Sequence, residues 1–235
     1  MNLIVSPTRP SSTTWSHFYW MACVLVTLFF HTVAFASNSP GYANPQGKQI
    51  LFVVDNIPDY QHLTSVDTAN MEVVVLDSQQ DGLRQIAAAL EGRRAIAGLH
   101  LASHGGPAML GLGSLMLGSA QLAGRAADLG VIRTALRHDA NIFLYGCNVA
   151  QGDAGQRFIG ALAHATGANV AASTNLTGAR ALGGDWMLES RTGAVRNAAL
   201  AFPAYRAVLP TVAGTVAIPF GHPDTAIATA KMVDG

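Results

Sequence analysis

IAGLHLASHGG at residues 96–106 and IFLYGCN at residues 142–148 decide how this chain is read. Each opens with an apolar run of strand length and closes on small residues beside a reactive side chain, His104 in the first and Cys147 in the second. Neither run alternates between apolar and polar, which is the pattern of a strand covered on both faces. Residues 50–54, 73–76 and 170–172 read the same way. The stretches between them have helical spacing. Leu83, Ile86, Ala87 and Leu90 fall at i, i+3, i+4 and i+7, with Asp81 placed to cap the start and Gly92 the end. Phe158, Ile159, Leu162 and Ala163 repeat the pattern between Asp153, read as the N-cap, and Gly167. A third helix is expected within residues 120–137, with Leu122, Ala126 and Leu129 on one face. Strands alternating with helices imply an α/β fold, a three-layer sandwich with a mostly parallel central sheet and helices on both sides. Residues 109–117 (MLGLGSLML) read as a small hairpin, and a second such excursion is expected near Gly183, Gly184, Asp185 and Trp186.

Composition narrows the function classes. The 235 residues carry 14 basic and 14 acidic groups, a net charge of zero, and charged residues make up only 12%. A nucleic-acid binder needs a basic face, so that class is excluded. Hydrophobic residues at 50% exclude a disordered, solvating chain. The length suits one domain with flanking pieces. Before Lys48 the only charged side chain is Arg9, followed by an apolar core at 18–30 broken only by Thr27, and then by Ala34-Phe35-Ala36. This reads as a signal peptide over residues 1–36, with an uncleaved anchor as the alternative; the core falls short of the ~20 residues a spanning helix needs. Contact with a membrane is expected only through this segment. Residues 37–47 (SNSPGYANPQG) read as a linker, 48–209 as the domain, and 210–235 as a tail or the start of a further region. Cys23 leaves with the signal segment, so Cys147 is the one cysteine of the exported chain, either buried and inert or chemically used.

The chemistry follows from strand ends. In a parallel sheet the C-terminal ends of the strands share one edge, where ligands bind. His104 and Cys147 are thereby expected at the same rim, a thiol beside an imidazole able to activate it. Gly105 lets its N–H approach a substrate carbonyl and, with the N–H of Cys147, make an oxyanion hole. Asp55 and Asp77 end strands at that rim; orienting His104 or binding a basic substrate side chain competes there with turn formation. His100 lies four residues before His104, but a metal-binding pair at that spacing needs a helix, so His100 is assigned to packing within the sheet and no metal is expected. His62, His138, His164 and His222 are read as surface or helix residues, and Arg93-Arg94 as a solvated pair after a helix end. A nucleophile elbow of the α/β-hydrolase kind is excluded, because Tyr145 and Val149 stand where small residues are required and the histidine precedes the nucleophile.

An apolar strand ending in His-Gly, followed by one ending in Gly-Cys, resembles the caspase-like (clan CD) cysteine peptidases. VVVLDSQQDGLRQIAAAL, LHLASHGG, FLYGCNVAQGDAGQRFI, ATGANVAAST and LGGDW are similar more closely to the domain of unknown function 4347, found near the N-terminus of large bacterial surface and adhesin-like proteins. The likeness spans roughly residues 48–209. It implies a caspase-like α/β fold, with His104 and Cys147 on the dyad and Gly105 on the oxyanion position. It also implies that Ser173, Thr174 and Asp185 border the specificity pocket; Asp185 there would favour Arg or Lys before the cut, its alternative role being that of a turn residue. The expected activity is an exported cysteine endopeptidase, free of cofactors, acting on a polypeptide and in cis on its own longer surface protein. The alternative is a catalytically silent N-terminal module of a surface or adhesion protein.

Overall fold

A computed structural model describes residues 47–65 and 71–212. The expected signal segment, all of the expected linker except Gly47, and residues 213–235 lie outside the described residues. In chain order the strands are β1 (Lys48–Val54), β2 (Met71–Leu76), β3 (Ile96–Ala102), β4 (His104–Gly106), β5 (Met109–Leu112), β6 (Leu115–Gly118), β7 (Leu136–Tyr145), β8 (Asn169–Ala172) and β9 (Ser190–Arg191). The helices are α1 (Gln61–Thr64), α2 (Gly82–Leu90), α3 (Ser119–Leu122), α4 (Ala126–Ala135) and α5 (Gly152–Thr166). Among these described residues no helix is long and apolar enough to cross a membrane.

The central sheet has the order β2-β1-β3-β7-β8-β9. Its first five strands are parallel, and only the two-residue β9 runs against its neighbour. The α/β, mostly parallel architecture read from the apolar runs is the one observed. Because the chain steps from β1 to β2 on one side and then to β3 on the other, the order reverses between β1 and β3. Open parallel sheets bind ligands at such a reversal, outside the strand C-termini.

Side chains alternate between two cores, as the two-residue period of a strand requires. One face presents Ile50, Phe52, Leu99, Leu101, Ile142 and Leu144 to Leu83, Ile86 and Leu90 of α2, Ile132 of α4, and Phe158 and Leu162 of α5. The other presents Leu51, Val53, Phe143, Tyr145 and Cys147 to Leu63, Leu188, Phe202, Tyr205 and Leu209. The outer layers are therefore unequal. The longer helices α2, α4 and α5 cover the first face. The second is covered by the single turn of α1 and by the largely irregular chain on either side of β9, which brings Trp186, Leu188, Phe202, Tyr205 and Leu209 onto it.

Several local expectations change in detail. Asp81 caps α2 through its carboxylate and the Arg84 N–H, and Gly167 closes α5 in the left-handed conformation. Asp153, read as the N-cap of α5, lies instead inside its first turn, where its negative charge meets the positive end of the helix dipole. The third helix breaks into α3, a 3-10 turn and α4, which leaves Ala126 exposed. The hairpin at 109–117 forms and gains β4 as a third strand. Around 183–186 there is no hairpin. A 3-10 turn at Arg180–Leu182 and a single Thr177–Asp185 bridge replace it. Arg93 is not merely solvated, since its guanidinium lies 2.7 Å from Glu72 on β2 and holds that carboxyl at about 2.

His100 packs within the sheet, fully buried and stacked on Phe143 at a ring separation of 4.4 Å. Its Nε2 bonds Gln49 Oε1 at 2.9 Å and its Nδ1 bonds Tyr145 Oη at 3.0 Å; that hydroxyl also accepts the Leu200 N–H at 2.6 Å. An amide oxygen only accepts, so Nε2 carries the proton and Nδ1 takes the Tyr145 O–H. Both nitrogens are used, which leaves none for a metal. The chain of bonds ties β1, β3 and β7 to the irregular cover. Burial pushes the imidazole down to about 3. Its stabilising contribution is therefore complete above the ordinary histidine value and is lost as pH falls toward that number. His100→Ala is expected to cost about 3 kcal/mol at pH 7, from the cavity and from two stranded polar partners. In urea titrations the gap between wild type and variant should narrow as pH drops from 6.5 toward 4, and a gap independent of pH would contradict the assignment.

Candidate active site

The two sequence-predicted residues arrive at the rim together. Ala102 is registered against Tyr145, and the Ser103 N–H donates to the Tyr145 carbonyl at 3.2 Å, so both chains leave the sheet side by side. His-Gly then turns into β4, and Gly-Cys turns into α5. The approach is close: a Cβ added to Gly105 would lie 2.5 Å from the Gly146 carbonyl carbon and 2.6 Å from the Cys147 nitrogen. Only glycine fits there, which places the Gly105 backbone beside that of Cys147. The tight exit of the cysteine loop is made possible by Asn148, held at φ +61 in the left-handed region that Asn tolerates better than most residues. Its N–H is fixed by the Asn175 carbonyl at 2.8 Å.

His104 is half-buried, and its Nε2 lies 2.9 Å from Asn56 Oδ1. The carbonyl end of the amide accepts, so Nε2 is the protonated nitrogen and Nδ1 is left as the basic one. Asn56 follows β1 by two residues, so this bond spans the β1/β3 reversal. Burial lowers the His104 pKa, and the Asn56 bond offsets part of that shift.

Cys147 is fully buried at the edge of the second core. Its Sγ donates to the Leu209 carbonyl at 2.9 Å and accepts the Thr177 N–H at 3.3 Å. Burial pushes the thiol up, partly countered by the Thr177 N–H. Neither of these bonds joins the thiol to His104. In this conformation the thiol and the imidazole are each held by a different neighbour. The N–H of Gly105, the expected oxyanion donor, is taken by the Pro210 carbonyl at 3.2 Å.

The remaining candidates separate. Asp55 and Asp77 stand at the rim with structural partners: Asp55 Oδ1 accepts the Ser78 N–H and ties the ends of β1 and β2 together, while the Asp77 carboxylate accepts from Gln79 and Gln80 within its own turn. The Gln79 N–H and the Gln80 side chain hold the Asp77 carboxyl below its usual range. Ser173 is buried, and its hydroxyl bonds Asn175 at 3.0 Å, bracing the turn that grips Asn148. Thr174 binds Glu189 through both its N–H and its hydroxyl. Asp185 is half-buried, with its carboxylate on the Met187 N–H and the Asn175 amide. It nevertheless borders a cleft of about 340 Å³ together with Gly178, Arg180, Trp186, Tyr205 and Arg206. Trp186 is an anchor, edge-on to Phe202 at 4.8 Å.

Residues 50–209 match the family described as domain of unknown function (DUF4347). The chain belongs to that family. No curated protein matches it. The matched stretch contains the whole central sheet except two residues of β1, and it includes His104, Gly105 and Cys147.

Sequence reading of this DUF4347 domain missed Asn56, Thr177 and Leu209. Asn56 had a faint signal, one position beyond the rim aspartate Asp55. The other two had none, because their roles depend on backbone groups. Asn56→Ala should lower the His104 titration midpoint, and Asn56→Asp should raise it above wild type, as followed by NMR of the imidazole Cε1–H. A midpoint indifferent to both changes would remove Asn56 from the site.

Proposed function

We propose that the DUF4347 domain is a cysteine endopeptidase of caspase-like type that works after export and acts in cis on its own longer surface protein. One observation carries this reading: His104 and Cys147 leave the adjoining parallel strands β3 and β7, β3 bordering the sheet's reversal, with the Gly105 backbone pressed against that of Cys147. In the productive arrangement His104 Nδ1 removes the thiol proton. Sγ attacks the peptide carbonyl carbon, a C–S bond forms, and the oxygen takes the negative charge beneath the N–H groups of Gly105 and Cys147. Collapse breaks the C–N bond as the imidazolium passes its proton to the departing amine. Water then hydrolyses the thioester, with His104 as the base. No cofactor is needed.

The second reading, a catalytically silent folded module of a surface protein, is favoured by the complete burial of Cys147 and its raised pKa. Cys147→Ser separates the two better than Cys147→Ala, since a hydroxyl can keep the bonds to Leu209 and Thr177. Wild type is expected to cleave its parent chain or an unstructured protein substrate, with the rate reduced at least about 100-fold in both Cys147→Ser and His104→Ala. Undiminished cleavage by Cys147→Ser would end the peptidase reading. Absence of cleavage both by wild type and by a chain in which the segment bonded to Cys147 through Leu209 is released, with all proteins equally stable, would establish the silent module.

A further inference from the structure

The chain over residues 207–212 lies across the rim in extended form and uses the site's own hydrogen-bonding groups. On one side it pairs antiparallel with residues 177–179: the Ala179 N–H donates to the Ala207 carbonyl and the Leu209 N–H to the Thr177 carbonyl, both at 2.8 Å, with Val208 bridged to Gly178. On the other side it pairs parallel with Gly105, whose N–H meets the Pro210 carbonyl and whose carbonyl accepts the Val212 N–H at 2.8 Å. Between the two pairings the Leu209 carbonyl faces Cys147 Sγ at 2.9 Å, and the Leu209 side chain is buried in the second core. Adding a strand to exposed backbone, with one side chain pocketed, is a general way of binding an extended peptide.

The arrangement is that of a chain held and not cut. The carbonyl opposite the sulfur is bonded by the thiol itself, while the Gly105 donor sits on the next carbonyl along. The nitrogen that would depart belongs to Pro210, an imide. Resting on the endopeptidase reading, we propose that residues 207–212 form an autoinhibitory strap that occupies the cleft as a substrate does. The site opens when the strap peels away and admits another extended polypeptide with an apolar, leucine-like residue in the place of Leu209. The seam is imperfectly satisfied, which favours opening: the buried hydroxyl of Thr177, whose backbone pairs with the strap, and that of Tyr205, two residues before it, have no hydrogen-bond partner among the described residues.

The test uses the full chain and iodoacetamide at pH 7.5, with alkylation of Cys147 followed by intact mass. Val212→Pro removes the N–H that bonds Gly105 and disturbs no buried side chain. It is expected to alkylate at least tenfold faster than wild type, with the same thermal midpoint to within a few degrees. A synthetic AVLPTV peptide, copying residues 207–212, should slow it again. Equal alkylation of wild type and Val212→Pro would overturn the strap, as would a peptide without effect on the faster variant. Amide exchange of the wild type gives a second measurement. The amides of Gly105, Ala179, Leu209 and Val212 are expected to exchange together and well before those of Phe143 and Leu144; exchange of both sets only at global unfolding would also overturn it. Alkylation and exchange need no turnover, so they stand whether or not the domain cleaves a peptide bond.

Discussion

The backbone of Gly105 lies against the peptide joining Gly146 to Cys147, at a separation that leaves no room for a side chain. That contact follows from the register of β3 on β7, which brings both strands to the rim at the same level. It fixes the two N–H groups as neighbours, sets the histidine loop beside the cysteine loop, and exposes the Gly105 backbone to whatever chain crosses above. Without it the rim would be two unrelated loops. The fold therefore places one of its crowded backbone contacts at the point where chemistry is proposed.

The inequality of the two faces gives the site its character. On the α2, α4 and α5 side, regular helices bury long aliphatic residues and make a rigid floor. On the other side the sheet is roofed by irregular chain, held down by the Leu200–Tyr145–His100–Gln49 series of hydrogen bonds and by the aromatic cluster of Trp186, Phe202 and Tyr205. Cys147 belongs to this second layer. Its accessibility is decided by loop-like chain with few regular hydrogen bonds, the part of a protein that opens at the lowest free-energy cost. The Leu209 carbonyl holds the thiol and the neighbouring Pro210 carbonyl holds the Gly105 N–H, so moving that segment frees both together.

Much of this was legible in the sequence where burial dictates residue type. The five parallel strands announced themselves as unbroken apolar runs, α2 by its spacing and by Asp81, and the shared rim by His104 and Cys147 at strand ends. The errors have local causes. Asp153 was read as a cap because the turn at Asn148 and Gly152, which sets where α5 begins, has no periodic signature. The Gly183–Gly184 pair suggested a hairpin, but the apolar residues beside it are drawn into the second core. Of the second face's cover only α1 is helical, and most of residues 186–209 carries no periodic signature. Asn56, Thr177 and Leu209 stayed invisible for a different reason: they act through an amide oxygen, a backbone N–H and a carbonyl, and almost any residue offers the last two.

The central claim is that the rim is a cleft for an extended polypeptide, with a cysteine activated by His104. The most direct measurement is covalent capture by an Ala-Val-Leu acyloxymethyl ketone, in which the sulfur displaces the carboxylate and forms a thioether. In the Val212→Pro chain a single adduct on Cys147 is predicted, identified by peptide mapping and slowed strongly by His104→Ala. No adduct at Cys147, or one formed at the same rate without the imidazole, would contradict the account.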